Sequence, residues 1–259
     1  MLLHNNVKSD SVSFSFPNFN PEQEFELGFH GDARPLGGII QLTRRDGPEG
    51  TTLHKHNVGR VVYRPPVQLW DKNKGKVADF ETEFTFLVDT AGLPIHGDGL
   101  SFFIIPYHAD DRMPRDSSGG FLGLFSPETA FNSHRNQIVA IEFDSFGNEW
   151  DPEPVPIAPH VGIDINSLES VKTVEWPINY VPQGSIGKAR IRYNSKAREL
   201  SVLVGYNTDD EPERFVISLT HTIDLPGVLP ELVKIGFSGA TGDQVETHDI
   251  LSWSFTSRI

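Results

Sequence analysis

Apolar and polar residues alternate along most of this chain. In Phe80-Glu81-Thr82-Glu83-Phe84-Thr85-Phe86-Leu87-Val88 the even positions are mostly apolar and the odd ones begin polar, the period of a strand with one buried face. The same reading predicts strands over 11–16, 24–29, 38–43, 59–63, 66–69, 99–105, 137–145, 160–165, 169–175, 186–193, 199–206, 213–221, 232–238 and 248–256. Helical periodicity is almost absent. Short strands at close spacing, with turns such as Asn194-Ser195-Lys196-Ala197 between them, point to an all-β antiparallel sandwich or jelly roll. Two long connections near 106–136 and 145–159 are rich in Gly, Pro, Asp and Ser, and loops of that length often carry function.

Composition narrows the reading. The chain has 259 residues, 37% hydrophobic and 10% aromatic, which suffices for one substantial core. A single domain over 1–259 is expected, with 1–10 as an N-terminal extension. Lys and Arg number 22 against 35 Asp and Glu, and the net charge of −13 disfavours nucleic acid or an anionic membrane as partner. Cations and neutral ligands remain. There is no cysteine, so disulfides, thiolate catalysis and metal–thiolate centres are excluded. The opening Met1-Leu2-Leu3-His4-Asn5-Asn6 has too short an apolar run for a signal peptide. No stretch is long enough to cross a bilayer, so membrane insertion is not expected. No Asn-x-Ser/Thr sequon occurs.

One stretch stands out. Residues 142–152, EFDSFGNEWDP, place Glu142, Asp144, Glu149 and Asp151 within ten positions. On a strand Glu142 and Asp144 share a face, with Cα atoms roughly 6 to 7 Å apart, while Val139, Ile141 and Phe143 face the core. Carboxylates that close repel unless water screens them, a proton neutralises one, or a cation sits between them. A solvated acidic face is the plain reading of the pair alone. The neighbours favour a cation: Asn148 adds an amide oxygen, Asp151 a third carboxylate and His160 an imidazole. Oxygens of Asp144, Asn148, Asp151 and a loop carbonyl suit Ca²⁺. Glu142, Asp144, Asp151 and the His160 nitrogen suit a transition ion such as Mn²⁺, with Asp144 and Asp151 bridging the two.

These residues resemble the legume lectins, plant carbohydrate-binding proteins that depend on Ca²⁺ and Mn²⁺. The similarity runs from Ser11-Val12-Ser13-Phe14-Ser15-Phe16 to Leu251-Ser252-Trp253-Ser254-Phe255-Thr256-Ser257. It is most specific in Val139–Phe146, Trp150-Asp151-Pro152 and Pro159–Asp164, with Gly99–Ile104 and Gly119–Phe125 as further signatures. The resemblance implies a concanavalin A-like jelly-roll sandwich with a flat back sheet, a curved front sheet and a shallow sugar site beside the metals. It places Glu142, Asp144, Asp151 and His160 at the transition-metal site, and Asp144, Asn148, Asp151 and the Phe146 carbonyl at the calcium site. For the sugar it implies Asp98 as acceptor carboxylate, Gly120 as backbone donor, Asn148 as amide donor and Phe146 as the ring beneath the sugar. A pyranose offers hydroxyls that donate and accept and a C–H face that lies on an aromatic ring. Outside that context Asp98 and Gly120 read as turn residues and Phe146 as core.

The loop Thr241-Gly242-Asp243-Gln244-Val245-Glu246-Thr247-His248 is short, as in mannose- and glucose-binding members, where backbone N–H groups meet an equatorial 4-hydroxyl. On that analogy Asp243 and Gln244 supply those N–H groups; the alternatives are an ordinary hairpin tip and a galactose-type lectin. Three departures are visible. Gly97 stands where the family has Ala before the acidic ligand in a cis linkage, Ser145 replaces Thr, and 153–158 looks like an insertion. His54 and His56, two apart, read as loop residues, with a surface metal as the alternative.

Two other classes fit less well. Jelly-roll glucanases carry a third acid two or three residues after E-x-D, where this chain has Phe146 and Gly147; Glu149 falls in the loop. Acids clamped by cations are also poor proton donors, so catalysis is not expected. Storage or defence relatives that have lost sugar binding typically lack metal ligands, and here all matched ligands are present. Weak single-sugar sites need multivalency, so a homodimer or homotetramer is expected, and the resemblance implies secretion or a vacuolar location.

Overall fold

The alternation around Phe84 becomes the strand Asp79–Asp89, whose even positions are buried and whose odd positions are not. The computed structural model describes residues 11–20, 25–47, 50–151, 159–206 and 214–259. Asp79–Asp89 lies at the centre of the first of two large antiparallel sheets. Its neighbours are Gly187–Asn194 on one side and Thr247–Arg258 on the other. Glu199–Tyr206 and Arg214–Thr222 extend the first side. Ser11–Phe16, Ile39–Gln41 and Arg34–Leu36 complete the other.

The second sheet runs in the order Lys172–Glu175, His160–Ile165, Val139–Asp144, Gly99–Pro106, Leu232–Ala240, Val58–Tyr63 and Leu27–Gly31. Val67–Gln68 adds to Leu232–Ala240. Together the sheets form the expected jelly-roll sandwich. Its core is built from one face of each, including Phe84, Phe86, Phe102, Phe143, Phe237, Trp253 and Phe255. Ring pairs cross the core, such as Phe84–Phe237 at 4.8 Å and Phe237–Trp253 at 4.8 Å. Polar groups in this core are met locally: buried Trp253 Nε1 donates to Thr82 Oγ1 at 2.9 Å and Trp176 Nε1 to the Tyr206 hydroxyl at 2.7 Å.

The outer face of the second sheet is the feature that positions the site. Val139–Asp144 is buried at all six positions, so neither face meets water. The long 106–138 connection folds over that face and makes a second core with Phe103, Leu122, Leu124, Phe125, Ile138 and Ala140. The acids of this strand therefore lie under a lid of loops, and the solvated-face reading of Glu142 and Asp144 fails: each is 2% exposed.

Differences from the expected strands are local. The 24–29 strand starts at Leu27 and runs to Gly31, and the 169–175 strand shortens to Lys172–Glu175. Arg34–Leu36 and two small ribbons, Arg45–Asp46 with Thr52–Leu53 and Trp70–Asp71 with Lys76–Val77, are short elements without a readable alternation. Among the described residues the one α-helical turn is Leu225–Val228, with Pro226 near its start. The 1–10 extension and the 153–158 insertion lie outside the described residues.

Candidate functional site

Strand register builds the acidic cluster. Asp144 pairs with Gly99 on one side and His160 on the other, and Glu142 with Ser101 and Gly162. One ligand atom each from Glu142, Asp144 and His160 lie within 4.8 Å of one another, and all three residues are buried. His160 Nε2 is 3.0 Å from Glu142 Oε1. Ser170 Oγ lies 2.6 Å from the same oxygen and 2.7 Å from Asp164 Oδ1. One hydroxyl proton serves one acceptor at a time. Burial, and then the charge of Glu142, hold the Asp164 carboxyl well above the ordinary carboxylate range. A Cβ on Gly162 would fall 2.1 Å from Ser170 Oγ and 2.5 Å from Glu142 Oε1, so this position must be glycine for the cluster to close.

Beyond Asp144 the chain turns back on itself. Phe146 N donates to Asp144 Oδ1 at 2.8 Å, and Asn148 N donates to Asp151 Oδ2 at 2.6 Å. Burial raises Asp144 well above its ordinary value, and Glu142 and Asp151 add to the rise. Asp151 is pushed up to about 6, again by burial first, with the Asn148 N–H and His160 opposing. Asn148 Oδ1 is buried without a hydrogen-bond partner. Buried, mutually repelling carboxylates beside an orphaned amide oxygen and an imidazole form a donor set suited to divalent cations. Of the expected ligands, Glu142, Asp144 and His160 form the tight group. Asp151, Asn148 and Phe146 fall outside that tight group and are linked to it by the Phe146 N–H to Asp144 and by the charge of Asp151 on Asp144.

The rim above the cluster draws on four separate segments. Gly97–Asp98 is a cis peptide, as the resemblance implies. Asp98 N donates to Ala240 O at 3.1 Å, and Asp98 O accepts from Ser145 N at 2.8 Å, which fixes its backbone. Its side chain is 5% exposed and Oδ2 has no partner. Burial pushes its pKa up to about 7, the charge of Glu246 adds to this, and His248 and the Gly242 N–H pull it back. A Cβ on Gly242 would fall 2.9 Å from Asp98 Oδ2 and 3.0 Å from the Gly119 Cα, so bare backbone faces the carboxylate. A Cβ on Gly120 would fall 2.3 Å from Asn148 Oδ1, which makes that glycine the contact between the 119–121 turn and the acidic loop.

Phe146 is half-buried rather than core, and it packs against Gly97, whose Cβ would fall 2.7 Å from the Phe146 Cβ. Glycine in place of the family's alanine therefore lets the ring close down on the rim. Gln244 Cβ is 3.6 Å from the same point, while Asp243 is exposed, with Oδ1 3.7 Å from His56 Nε2. His54 turns instead to Asp46 at 2.9 Å, so the two histidines serve different acids.

A buried network beneath the rim was not read from the sequence. Glu246 Oε2 is 2.5 Å from His96 Nδ1, and Oε1 is 2.9 Å from His248 Nε2 and 2.5 Å from Ser145 Oγ. His248 Nδ1 meets Thr43 Oγ1 at 3.0 Å, and His96 Nε2 meets Asn179 Oδ1 at 3.0 Å. Burial pushes Glu246 up, but hydrogen bonds from His248 and His96 prevail and hold it at about 2. For His96 burial pulls the pKa down, and Glu246 more than restores it. Through Ser145, whose Oγ is also 2.9 Å from Asp98 O, this network braces the backbone of the rim carboxylate. The available signal was the i, i+2 spacing of Glu246 and His248, which puts both on one side of an extended chain.

A jelly-roll sandwich with a carboxylate–imidazole cluster under a polar, glycine-lined rim defines a lectin-type binding protein. The legume lectin domain matches residues 11–259. Lectin 8 of Medicago truncatula is 49% identical over 260 residues, covering 100% of this chain and 92% of that protein. A mannose/glucose-specific lectin of Centrolobium tomentosum is 42% identical, covering 97% of each. Among solved structures, the metal-free form of lectin I-B4 from Griffonia simplicifolia superposes with a TM-score of 0.84 at 39% identity, over 96% of this chain and 100% of that one. A lectin complexed with galactose, UEA-II, gives 0.82 at 37% identity over 97% and 100%. The chain belongs to the legume lectin family of carbohydrate-binding proteins. These relatives are named as lectins, not enzymes. Legume lectins generally bind metal ions, and the Glu142–Asp144–His160 group is a possible site for one.

Proposed function

We propose that this chain binds mannose- or glucose-type residues of glycans at the rim formed by Asp98, Gly120, Phe146, Asn148 and the 241–248 loop. The observation that carries the reading is the buried Asp98 carboxylate. It is desolvated, lacks a partner on Oδ2 and is faced by glycine backbone, so it is poised to accept hydroxyl protons from a ligand. The Gly120 N–H and the Asn148 amide are the donors, the exposed part of Phe146 covers the C–H face, and the N–H groups of Asp243 and Gln244 meet the 4-hydroxyl.

Asp144, Asn148, Asp151 and the Phe146 carbonyl would hold Ca²⁺, and Glu142, Asp144, Asp151 and His160 would hold Mn²⁺, and these cations would neutralise the cluster. The protein's own contribution is order: the turn from Asp144 to Asp151 holds Asn148 against Gly120 before the ligand arrives, which lowers the entropy cost of binding. The short 241–248 loop and the mannose/glucose-specific relative support this sugar preference, while the galactose complex among the structural neighbours keeps the galactose type as the second reading. We further infer that the protein acts as a homodimer or homotetramer and is secreted or vacuolar, both on the family resemblance. Isothermal titration with methyl mannoside, glucose and galactose, before and after chelation, tests the sugar. Mannose binding that vanishes on chelation is expected, and tighter binding of galactose would overturn the preference.

A further inference from the structure

The cavity behind the 105–115 segment differs in charge from the rest of this acidic protein. Its volume is about 570 Å³, the size of a small-ligand site. The whole chain carries −13, yet four guanidinium groups line this cavity, from Arg60, Arg112, Arg115 and Arg135, against the single carboxylate of Asp110. That carboxylate is already engaged, since Arg112 Nη2 donates to Asp110 Oδ2 at 2.7 Å and Nε lies 3.1 Å from both oxygens. Arg115 and Arg135 are exposed, and among the described residues neither makes a side-chain ion pair or hydrogen bond.

Arg60 is the second, independent observation. Its side chain is buried at 3% exposure, its Nη2 donates to Gly123 O at 2.5 Å, and its guanidinium lies 4.6 Å from the centre of the Phe103 ring. Its Nε is buried with no acceptor. Burial lowers its pKa to about 10 against the pull of Asp111 and Asp110, so it stays cationic at neutral pH. A buried donor without an acceptor costs free energy, and the residue that carries it lines the cavity. The wall beside it is apolar, with Leu124 and Phe125 both buried, and a dry wall strengthens any charge pairing made against it. None of the lining residues belongs to the Asp98 rim.

We propose that this cavity is a second binding site, which takes a sugar ring bearing an oxyanion, a uronic acid or a sulfated monosaccharide. Guanidinium groups recognise carboxylate and sulfate bidentately, and the ring's C–H face lies on the apolar wall. The cavity is far larger than a bare sulfate requires.

The test is titration calorimetry on the metal-loaded full chain with glucuronate, glucose 6-sulfate, inorganic sulfate and neutral glucose. Glucuronate and glucose 6-sulfate should bind saturably, weaken as salt rises, and bind the Asp98→Asn variant undiminished. An Arg115→Ala/Arg135→Ala variant, altered only at exposed positions and checked for an unchanged melting temperature, should bind both about tenfold or more weakly, the loss expected for one charge-assisted hydrogen bond. Failure of either acidic sugar to bind, or equal binding by the double variant, would overturn the proposal. In the Asp98→Asn variant, where the rim site is disabled, inorganic sulfate or neutral glucose binding as tightly as glucuronate would overturn it too, since the cavity would then read only the charge or only the ring. Loss of binding in Asp98→Asn would return the acidic sugar to the rim site and refute a second one.

Discussion

Replacing Asp98 by Asn should stabilise the metal-free protein while destroying sugar binding. The folded-state pKa of Asp98 is about 7 against an ordinary 3.8, a rise of about 3 units caused first by burial and then by Glu246. At about 1.4 kcal/mol per unit, the ionised carboxylate destabilises the native state by about 4 kcal/mol above pH 7. A raised carboxyl pKa gives stability that is fully present below the unfolded value and lost as pH rises through the folded one, so this loss develops between about pH 4 and pH 7. Asparagine keeps the shape without the charge. Allowing about 1 kcal/mol for an imperfectly bonded amide leaves a gain of about 3 kcal/mol, or roughly 6 °C for a chain of this length. Calorimetric scans of both proteins in chelator at about pH 4.5 and about pH 8 measure it. The variant should melt higher at the upper pH and close to wild type at the lower one, and added Ca²⁺ and Mn²⁺ should narrow the gap. Sugar affinity should fall by about two orders of magnitude or more, because two charge-assisted hydroxyl bonds are lost. A variant no more stable than wild type at about pH 8 would refute the view of Asp98 as an uncompensated buried charge.

Glu246→Gln removes the acid that His96 and His248 share and should destabilise the fold by about 3 kcal/mol. Because the Glu246 pKa is depressed to about 2 and that of His96 is raised, the deficit in urea titrations should be greatest between about pH 4.5 and 6.5 and shrink as pH falls toward 2. Gly120→Ala drives a methyl to 2.3 Å from Asn148 Oδ1 and should lower sugar affinity at least about tenfold while leaving the melting temperature within a few degrees; unchanged affinity would remove Gly120 from the site. Phe84→Ala opens a void among Phe102, Phe143 and Phe237 and should cost roughly 3 to 5 kcal/mol by denaturant unfolding, with the metal stoichiometry unchanged. Chelation at neutral pH should lower the melting temperature more than at about pH 4.5, where protons replace cations on Asp144 and Asp151; equal shifts would argue against a buried cation cluster.

Local pattern carried much of the architecture. The period-two run of 80–88 became a central strand because one apolar face had to be buried, the largely apolar runs of 99–105 and 139–144 became central strands buried on both faces, and no competing helical period was present. The acidic stretch was equally plain, since Glu142, Asp144, Asn148 and Asp151 lie within ten positions and His160 opens the next strand. Elements without alternation escaped notice. Arg34–Leu36 is three residues long with Pro at its centre, and the ribbon partners are two residues each, too short for any period to show.

Alternation and residue type alone thus determined that this chain forms a two-sheet sandwich and that its carboxylates collect between positions 142 and 151. Only the tertiary structure decided that Glu142 and Asp144 are buried while Glu149 stays exposed, because the 106–138 connection covers a sheet face that the pattern leaves open to water. Only it set Asp98 against Gly119 and Gly242, tied Glu246 to His96 across 150 residues, and gathered Arg60, Arg115 and Arg135 around one cavity. Such contacts depend on strand order and loop paths, and the free energy that selects them is summed over the whole core, so no local window of sequence contains it.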